Sequence, residues 1–513
     1  LIIMYMKRKI KKIIFDFMRE KKYILLSFLF ALSIGQVAFF EGNHVHLLRS
    51  LANIDYLMLS EDWLVNEIDH VPFFTFLTTY IIKYLSLAVL NILHIALSLI
   101  CAISIFYICK INFSNYDFKR IIFFWFLFLV LIFNEKSFAY GVAGQFVLNP
   151  VYQPSTFGVL IISSLAFFAY RKENLSVILL ILSATIHPTY IIHAFFLICG
   201  YLIYSLIYKD YKSFFKISFL SLILITPIIL YLILNIYISD FEIYLEGQSI
   251  MAEKRIPHHT MVRSWFSYKD LQTLFLISVS LLLTYSSKRI FIPLVFVVLS
   301  TVILTIIQYF TSSNFLGLLF PWRSSVYIVP ICSMIILTKI IILVDNKYLK
   351  STSKLYLCLN GLAFLLIIFF TINGIFESYK SHKNYKTNYP ISTLIKEYKN
   401  DITRLLIPIN LEHIRLNTGL PVFVDWKTTP YRNDALIKWY ERIKLTNSFY
   451  DTIKVEDKIR LFIKINNKEL ISHILVRDNG KNLIFKDCKY LFKEHGYLLY
   501  DLSECYNFKN LIS

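Results

Sequence analysis

The chain lacks the marks of several common protein classes. None of its seven cysteines has the spacing of a metal-ligand set. Cys101, Cys109, Cys199, Cys332 and Cys358 sit in apolar runs and read as small packed hydrophobes. There is no internal repeat and no low-complexity linker, which argues against a solenoid or a string of tethered modules. No cleavable leader is apparent. The first apolar run, Tyr23 to Phe40, follows basic residues but precedes no small-residue cleavage site, and it reads as a retained helix. Ionisable residues deep in the apolar runs are few, Lys83 and His94 being the nearest.

What is present is apolar. Of 513 residues, 57% are hydrophobic and 17% aromatic. A soluble chain would have too little polar surface to cover that much apolar matter. Hydrophobic runs of roughly 17–25 residues suit a hydrocarbon core of about 30 Å, and they recur about eleven times. The net charge of +19 might suggest nucleic acid, but the basic residues flank the apolar runs and so orient the protein in a bilayer; nucleic acid is not an expected partner.

Lys7, Arg8, Lys9, Lys11, Lys12, Arg19, Lys21 and Lys22 place the N-terminus on the cytoplasmic side of the membrane. Residues 41–72 then form the first outer loop, in which Arg49 is the only Lys or Arg. An interfacial amphipathic piece at Phe73–Lys83 precedes a single span. Further spans are expected near 121–134, 156–170, 175–190, 191–208, 214–237, 271–286, 290–310, 324–344 and 355–374. The fold expected is thus an all-α polytopic membrane domain over 1–374. A small extracytoplasmic α/β domain follows over 375–513, with strands at Val422–Val424, Ile471–Val476 and Gly496–Tyr500 and a helix at Ala435–Ile443. Cys488 and Cys505 can pair if that domain faces an oxidising compartment.

The polar clusters fall on one side of this topology. The first outer loop carries Asp55, Glu61, Asp62, Glu67 and Asp69 directly after a membrane helix. Crowded carboxylates raise each other's pKa, which suits a general base, and they offer the hard oxygens that Mg²⁺ or Mn²⁺ prefers. A solvated acidic loop is the plainer reading. His187 precedes Pro188 where two apolar runs meet, so a chain break is expected there. Such a histidine either serves a site or caps a turn. Arg255, His258 and His259 lie in the longest outer loop and suit phosphate better than metal, because adjacent side chains converge poorly on one ion. An exposed loop pair is the alternative. Arg323 in Phe320-Pro321-Trp322-Arg323 either reaches a lipid phosphate or snorkels to the headgroups.

A basic start, one span, an acidic outer loop and an amphipathic piece resemble the GT-C superfamily. These are polytopic glycosyltransferases that use polyprenyl-phosphate sugars. More narrowly, the chain is similar to an uncharacterised family of bacterial GT-C-like membrane proteins. The resemblance rests on Glu61-Asp62-Trp63-Leu64-Val65-Asn66, His187-Pro188-Thr189-Tyr190, Arg255-Ile-Pro257-His258-His259, Pro421-Val-Phe-Val-Asp425-Trp426-Lys427 and Trp439-Tyr440-Glu441-Arg442. Glu61-Asp62 departs from the Asp-x-Asp of several such enzymes. The resemblance implies transfer from a polyprenyl-phosphate sugar to a glycan, lipid or protein acceptor of the cell envelope. Asp62 would be the general base. Asp55, Glu61, Asp69, His187, Tyr190, Arg255, His258, His259 and Arg323 would bind substrate, with Asp425 and Lys427 facing the site from the C-terminal domain. A lipid-linked saccharide transporter or a non-catalytic assembly protein are the rival readings.

Overall fold

The computed structural model describes residues 21–37, 45–135, 138–237, 240–348, 354–478 and 488–505. The basic stretch from Lys7 to Arg19 lies outside them. The chain divides into two compact units. One takes the described parts of Leu1–Gln36, Leu90–Thr226 and His258–Tyr379, and the other those of Val37–Val89, Pro227–Pro257 and Lys380–Ser513.

The chain is mostly helical, and it is a multi-pass membrane protein. Among the described residues, six helices are long and apolar enough to cross a bilayer: Ala88–Asn112, Pro188–Ile207, Tyr211–Asn235, Lys288–Thr311, Asn314–Lys347 and Lys354–Asn384. The other expected spans are also helices, but shorter. Lys21–Ser33 and Ile122–Asn134 have 13 residues each, Glu173–Ile186 has 14 and Tyr268–Thr284 has 17. Spans of that length need a thinned bilayer or snorkelling flanks to cross. The amphipathic piece is a separate helix, Pro72–Tyr84, opened by its proline.

Local sequence explains the helix ends. Ser267 and Asp270 form a capping box that starts Tyr268–Thr284. His187 is extended (φ −131, ψ 95) and ends Glu173–Ile186, as the following Pro188 requires. Gly200 lets the helix Ile191–Ile207 close on Lys288–Thr311; a Cβ there would lie 2.7 Å from Pro293 Cα. The core of the membrane unit is aromatic and aliphatic, with Trp125, Phe126, Phe168 and Tyr201 fully buried.

In the second unit, β1 (Leu405–Leu406), β2 (His473–Arg477), β3 (Tyr490–Glu494) and β4 (Tyr497–Asp501) form one sheet in the order β1-β2-β4-β3. β1 and β2 run parallel, and the other pairs are antiparallel. His495 and Gly496 both adopt positive φ and turn the β3–β4 hairpin. The expected strand at Val422–Val424 is reduced to one bridge, Leu405 to Val422. The expected helix extends to Asn433–Asp451, and a second helix, Val455–Lys468, pairs with it. Cys488 and Cys505 are joined as a disulfide.

The first loop belongs to this second unit. Met58 N–H donates to the carbonyl of Gly419 (3.0 Å), and Leu57 packs so close that a Cβ on Gly419 would lie 2.5 Å from its Cδ1. With φ at +72, position 419 needs glycine twice over, for its backbone and for its space.

Candidate functional site

Asp62, the acid singled out in the first loop, is fully buried at 0% exposure. It ends the short 3₁₀ turn Leu59–Glu61. Its Oδ1 accepts from Leu64 N–H (3.0 Å), and its Oδ2 accepts from Val422 N–H (3.1 Å) and faces Arg415 Nε at 2.8 Å. Arg415, 1% exposed, donates from Nη1 to Asp425 Oδ2 (2.6 Å) and from Nη2 to the Val422 carbonyl (2.9 Å). The N–H groups of Lys427 (2.9 Å) and Thr428 (2.7 Å) complete the shell of Asp425. Burial pushes the Asp425 carboxyl above its ordinary value, against the pull of Arg415. As placed, Asp62 and Asp425 clamp a buried guanidinium, and neither carboxylate faces solvent.

The other acids of the loop differ. Asp55 and Glu61 are exposed, and Asp55 sits at positive φ. Asp69 accepts from Val71 N–H (2.9 Å) and lies 3.9 Å from Arg49 Nε. Arg49 itself gathers the carbonyls of Leu64, Val65 and Ile68, which fixes the loop's curvature. Asp69, Arg49, His46, His70 and Tyr431 border a cavity of about 20 Å³, room for a water rather than a sugar. His70 stacks on Tyr431 at 3.6 Å between ring centroids. Among the described residues no three His, Cys, Asp or Glu side chains form a metal-binding group.

Arg255 belongs to this unit as well. It donates to the Lys427 carbonyl (3.0 Å) and lies over the Trp426 ring. His258 and His259 belong to the membrane unit. His258 is exposed, and His259 Nδ1 meets the Ala143 carbonyl at 3.1 Å.

In the membrane unit, Arg323 is the centre of a polar cluster. Its Nη1 donates to Thr189 Oγ1 (2.7 Å) and to His187 Nε2 (3.2 Å), and its Nε donates to Gln145 Oε1 (3.2 Å). Three chain segments that open helices with a proline meet here: Pro154–Gly158, Pro188–Tyr190 and Pro321–Ser324. Tyr190, fully buried, ties the second to the first by donating to the Ser155 carbonyl (2.7 Å). Gly141 is confined against Ser325, where a Cβ would clash, and Val142 N–H donates to Ser325 Oγ (3.0 Å). A guanidinium among helix N-termini is a setting for an anion, since both present N–H donors and positive potential.

Two residues escaped the sequence reading. Arg415 is one. Its signal was an arginine between Ile414 and Leu416 in a run otherwise fit for a core. His193 is the other, 0% exposed within Ile191–Ile207, with no hydrogen-bond partner for either ring nitrogen among the described residues. An ionisable group inside a membrane helix was the available signal.

The second unit makes a pH prediction. Burial holds His70 well below its ordinary pKa and lowers His413 and His473 as well. Each binds its proton more weakly folded than unfolded. Their stabilising contribution is therefore complete above the unfolded value near 6.5 and is lost as pH falls below it. Melting of this unit, followed by tryptophan fluorescence, should shift to lower temperature as pH drops from about 7 toward 5. A flat profile over that window would contradict it.

Comparison with known proteins gives the following. Residues 390–446 match the model of a Domain of unknown function (DUF6798). No curated protein matches the chain. Among solved structures the chain is similar to ArnT from Cupriavidus metallidurans bound to undecaprenyl phosphate, at 10% identity and a TM-score of 0.47, over 96% of this chain and 97% of that one.

Proposed function

We propose that this membrane protein is a glycosyltransferase of the GT-C type, which moves a sugar from a polyprenyl-phosphate donor to a cell-envelope acceptor on the extracytoplasmic face. The observation that carries the reading is the Arg323 cluster. A guanidinium held by His187, Thr189 and Gln145, at the start of a membrane helix, suits the phosphate of a membrane-borne lipid. As the sugar's anomeric bond breaks, negative charge grows on the departing phosphate. Cations and donors already in place stabilise that charge without reorganising. The Cys488–Cys505 disulfide supports an outward-facing C-terminal unit, because such bonds persist in oxidising compartments.

Arg323→Gln should weaken binding of a polyprenyl-phosphate analogue by about 1.5–3 kcal/mol, the range for charged hydrogen bonds. Arg323→Lys should recover part of the loss. Titration of the purified protein in detergent reads both, and unchanged affinity in Arg323→Gln would sink the phosphate assignment.

A transporter of lipid-linked saccharide is the second reading, and one observation favours it. His193 and Tyr327 are buried at membrane depth with unpartnered polar atoms among the described residues. Transfer of label between donor and acceptor in detergent, where no compartments exist, separates the two.

A further inference from the structure

The helices Asn433–Asp451 and Val455–Lys468 pack side by side in the second unit and leave an open groove of about 500 Å³. Its walls follow from helical spacing. Glu441, Lys444, Leu445 and Ser448 recur at i, i+3, i+4 and i+7 on one helix, and Lys464, Asn467 and Lys468 at i, i+3 and i+4 on the other. The inner faces of the two helices carry Trp439, Phe449, Phe462 and Ile465, all fully buried. The groove residues are therefore free of any packing duty, apart from Leu445 at intermediate exposure.

Charge within the groove is unbalanced. Lys468 pairs with Glu441 at 3.0 Å, a contact that also orients the carboxylate. Among the described residues, Lys444, over the Tyr440 ring at 5.0 Å, and Lys464 form no ion pair with a lining residue. Lys438 and Arg460 lie one helical turn beyond it on the same faces, Arg460 within 3.9 Å of Asp457. A volume of this size is in the range of small-molecule sites. Its chemistry is three ammonium groups, a hydroxyl, an amide, one carboxylate and an apolar floor. The ammonium groups suit anionic substituents. Ser448, Asn467 and Glu441 can exchange hydrogen bonds with ring hydroxyls, and Leu445 can lie under the apolar face of a ring.

We propose that this groove binds an anionic saccharide, one that carries phosphate or carboxylate groups along a sugar chain. The groove needs no donor-phosphate site to do so. If the transferase reading also holds, the acceptor is an anionic glycan of the envelope. Binding alone is therefore the readout, so that failure here and failure of the Arg323 reading stay distinguishable.

The full chain in detergent is titrated with a tetragalacturonate, with a glycerol-phosphate oligomer and with a neutral oligosaccharide of equal length. At least one of the two anionic oligomers should bind, the stronger one identifying the acid, and the neutral one should bind at least tenfold more weakly. Lys444→Glu with Lys464→Glu should lower that affinity at least tenfold. Lys454→Glu makes the same kind of charge change outside the groove and should leave affinity within about twofold. Ser448→Trp fills the groove without altering charge and should also abolish binding. Melting curves confirm that each variant is folded; a variant that fails to fold is replaced by the glutamine pair at Lys444 and Lys464. Equal weakening by Lys454→Glu would overturn the proposal, since only net charge would then matter. So would undiminished binding in the double variant, or binding to anionic lipid vesicles with none to either oligomer.

Discussion

Arg415→Leu should destabilise the second unit by about 3–5 kcal/mol, the cost of leaving buried charge without its partner. Two carboxylates face this guanidinium, and both are fully buried. Without it, Asp62 and Asp425 would be like charges enclosed in a medium of low dielectric. At least one would have to take up a proton to fold. The effect should therefore be milder in acid than at neutral pH. Asp62→Asn should cost less than Arg415→Leu, because Arg415 keeps Asp425. Combining Arg415→Leu with Asp62→Asn and Asp425→Asn should restore part of the loss, which a thermodynamic cycle of melting midpoints would detect. The same variants judge the role of Asp62. If it only holds the fold, Asp62→Asn protein that remains folded keeps most of its activity. A fall of about 10²-fold in well-folded protein would instead restore Asp62 as the base.

His193→Phe together with Tyr327→Phe should raise stability, by about 1–3 kcal/mol for each unpartnered buried polar group removed. His193 is flanked by the rings of Tyr190 (5.9 Å) and Tyr327 (6.2 Å), and no bond compensates its desolvation among the described residues. Phenylalanine conserves the ring and deletes the polar atoms. A group that costs stability and does nothing should yield a more stable protein of unchanged activity. A group that serves the site near Arg323 should yield a more stable but weaker protein. An unstable double variant would contradict the premise that these atoms lack partners. Thermal melting and transfer or transport assays on the same preparations provide the comparison.

Much of the fold could be read along the chain because it follows from short-range rules. Apolar runs bounded by lysine and arginine are helices in the structure. The break at His187 follows from the proline after it, and the split between Pro72–Tyr84 and Ala88–Asn112 matches the change from an amphipathic to a wholly apolar pattern. The strands at His473–Arg477 and Tyr497–Asp501 lie where short apolar runs end in turn residues. Strand Tyr490–Glu494 was harder to see. Its burial is slight, and Tyr-Leu-Phe-Lys-Glu runs from apolar to charged without alternating.

The site was less legible, for a reason rooted in what each side chain faces. Sequence by itself determined that acids crowd the first loop, that a proline breaks the chain beside His187 and that an arginine precedes a membrane helix. Those are local properties, fixed by neighbouring residues. The fate of Asp62 is not local. The loop docks where Gly419 leaves space, and that docking brings Arg415 and the Val422 N–H to its carboxylate, so an acid that reads as exposed becomes one of the most buried groups in the unit. Arg255 turns to the Lys427 carbonyl in the same way, while Arg323 joins His187, Thr189 and Gln145 from separate segments. Tertiary structure alone decided these partnerships, because the energy of a charge depends on the dielectric and the partners around it, and neighbours in space supply both.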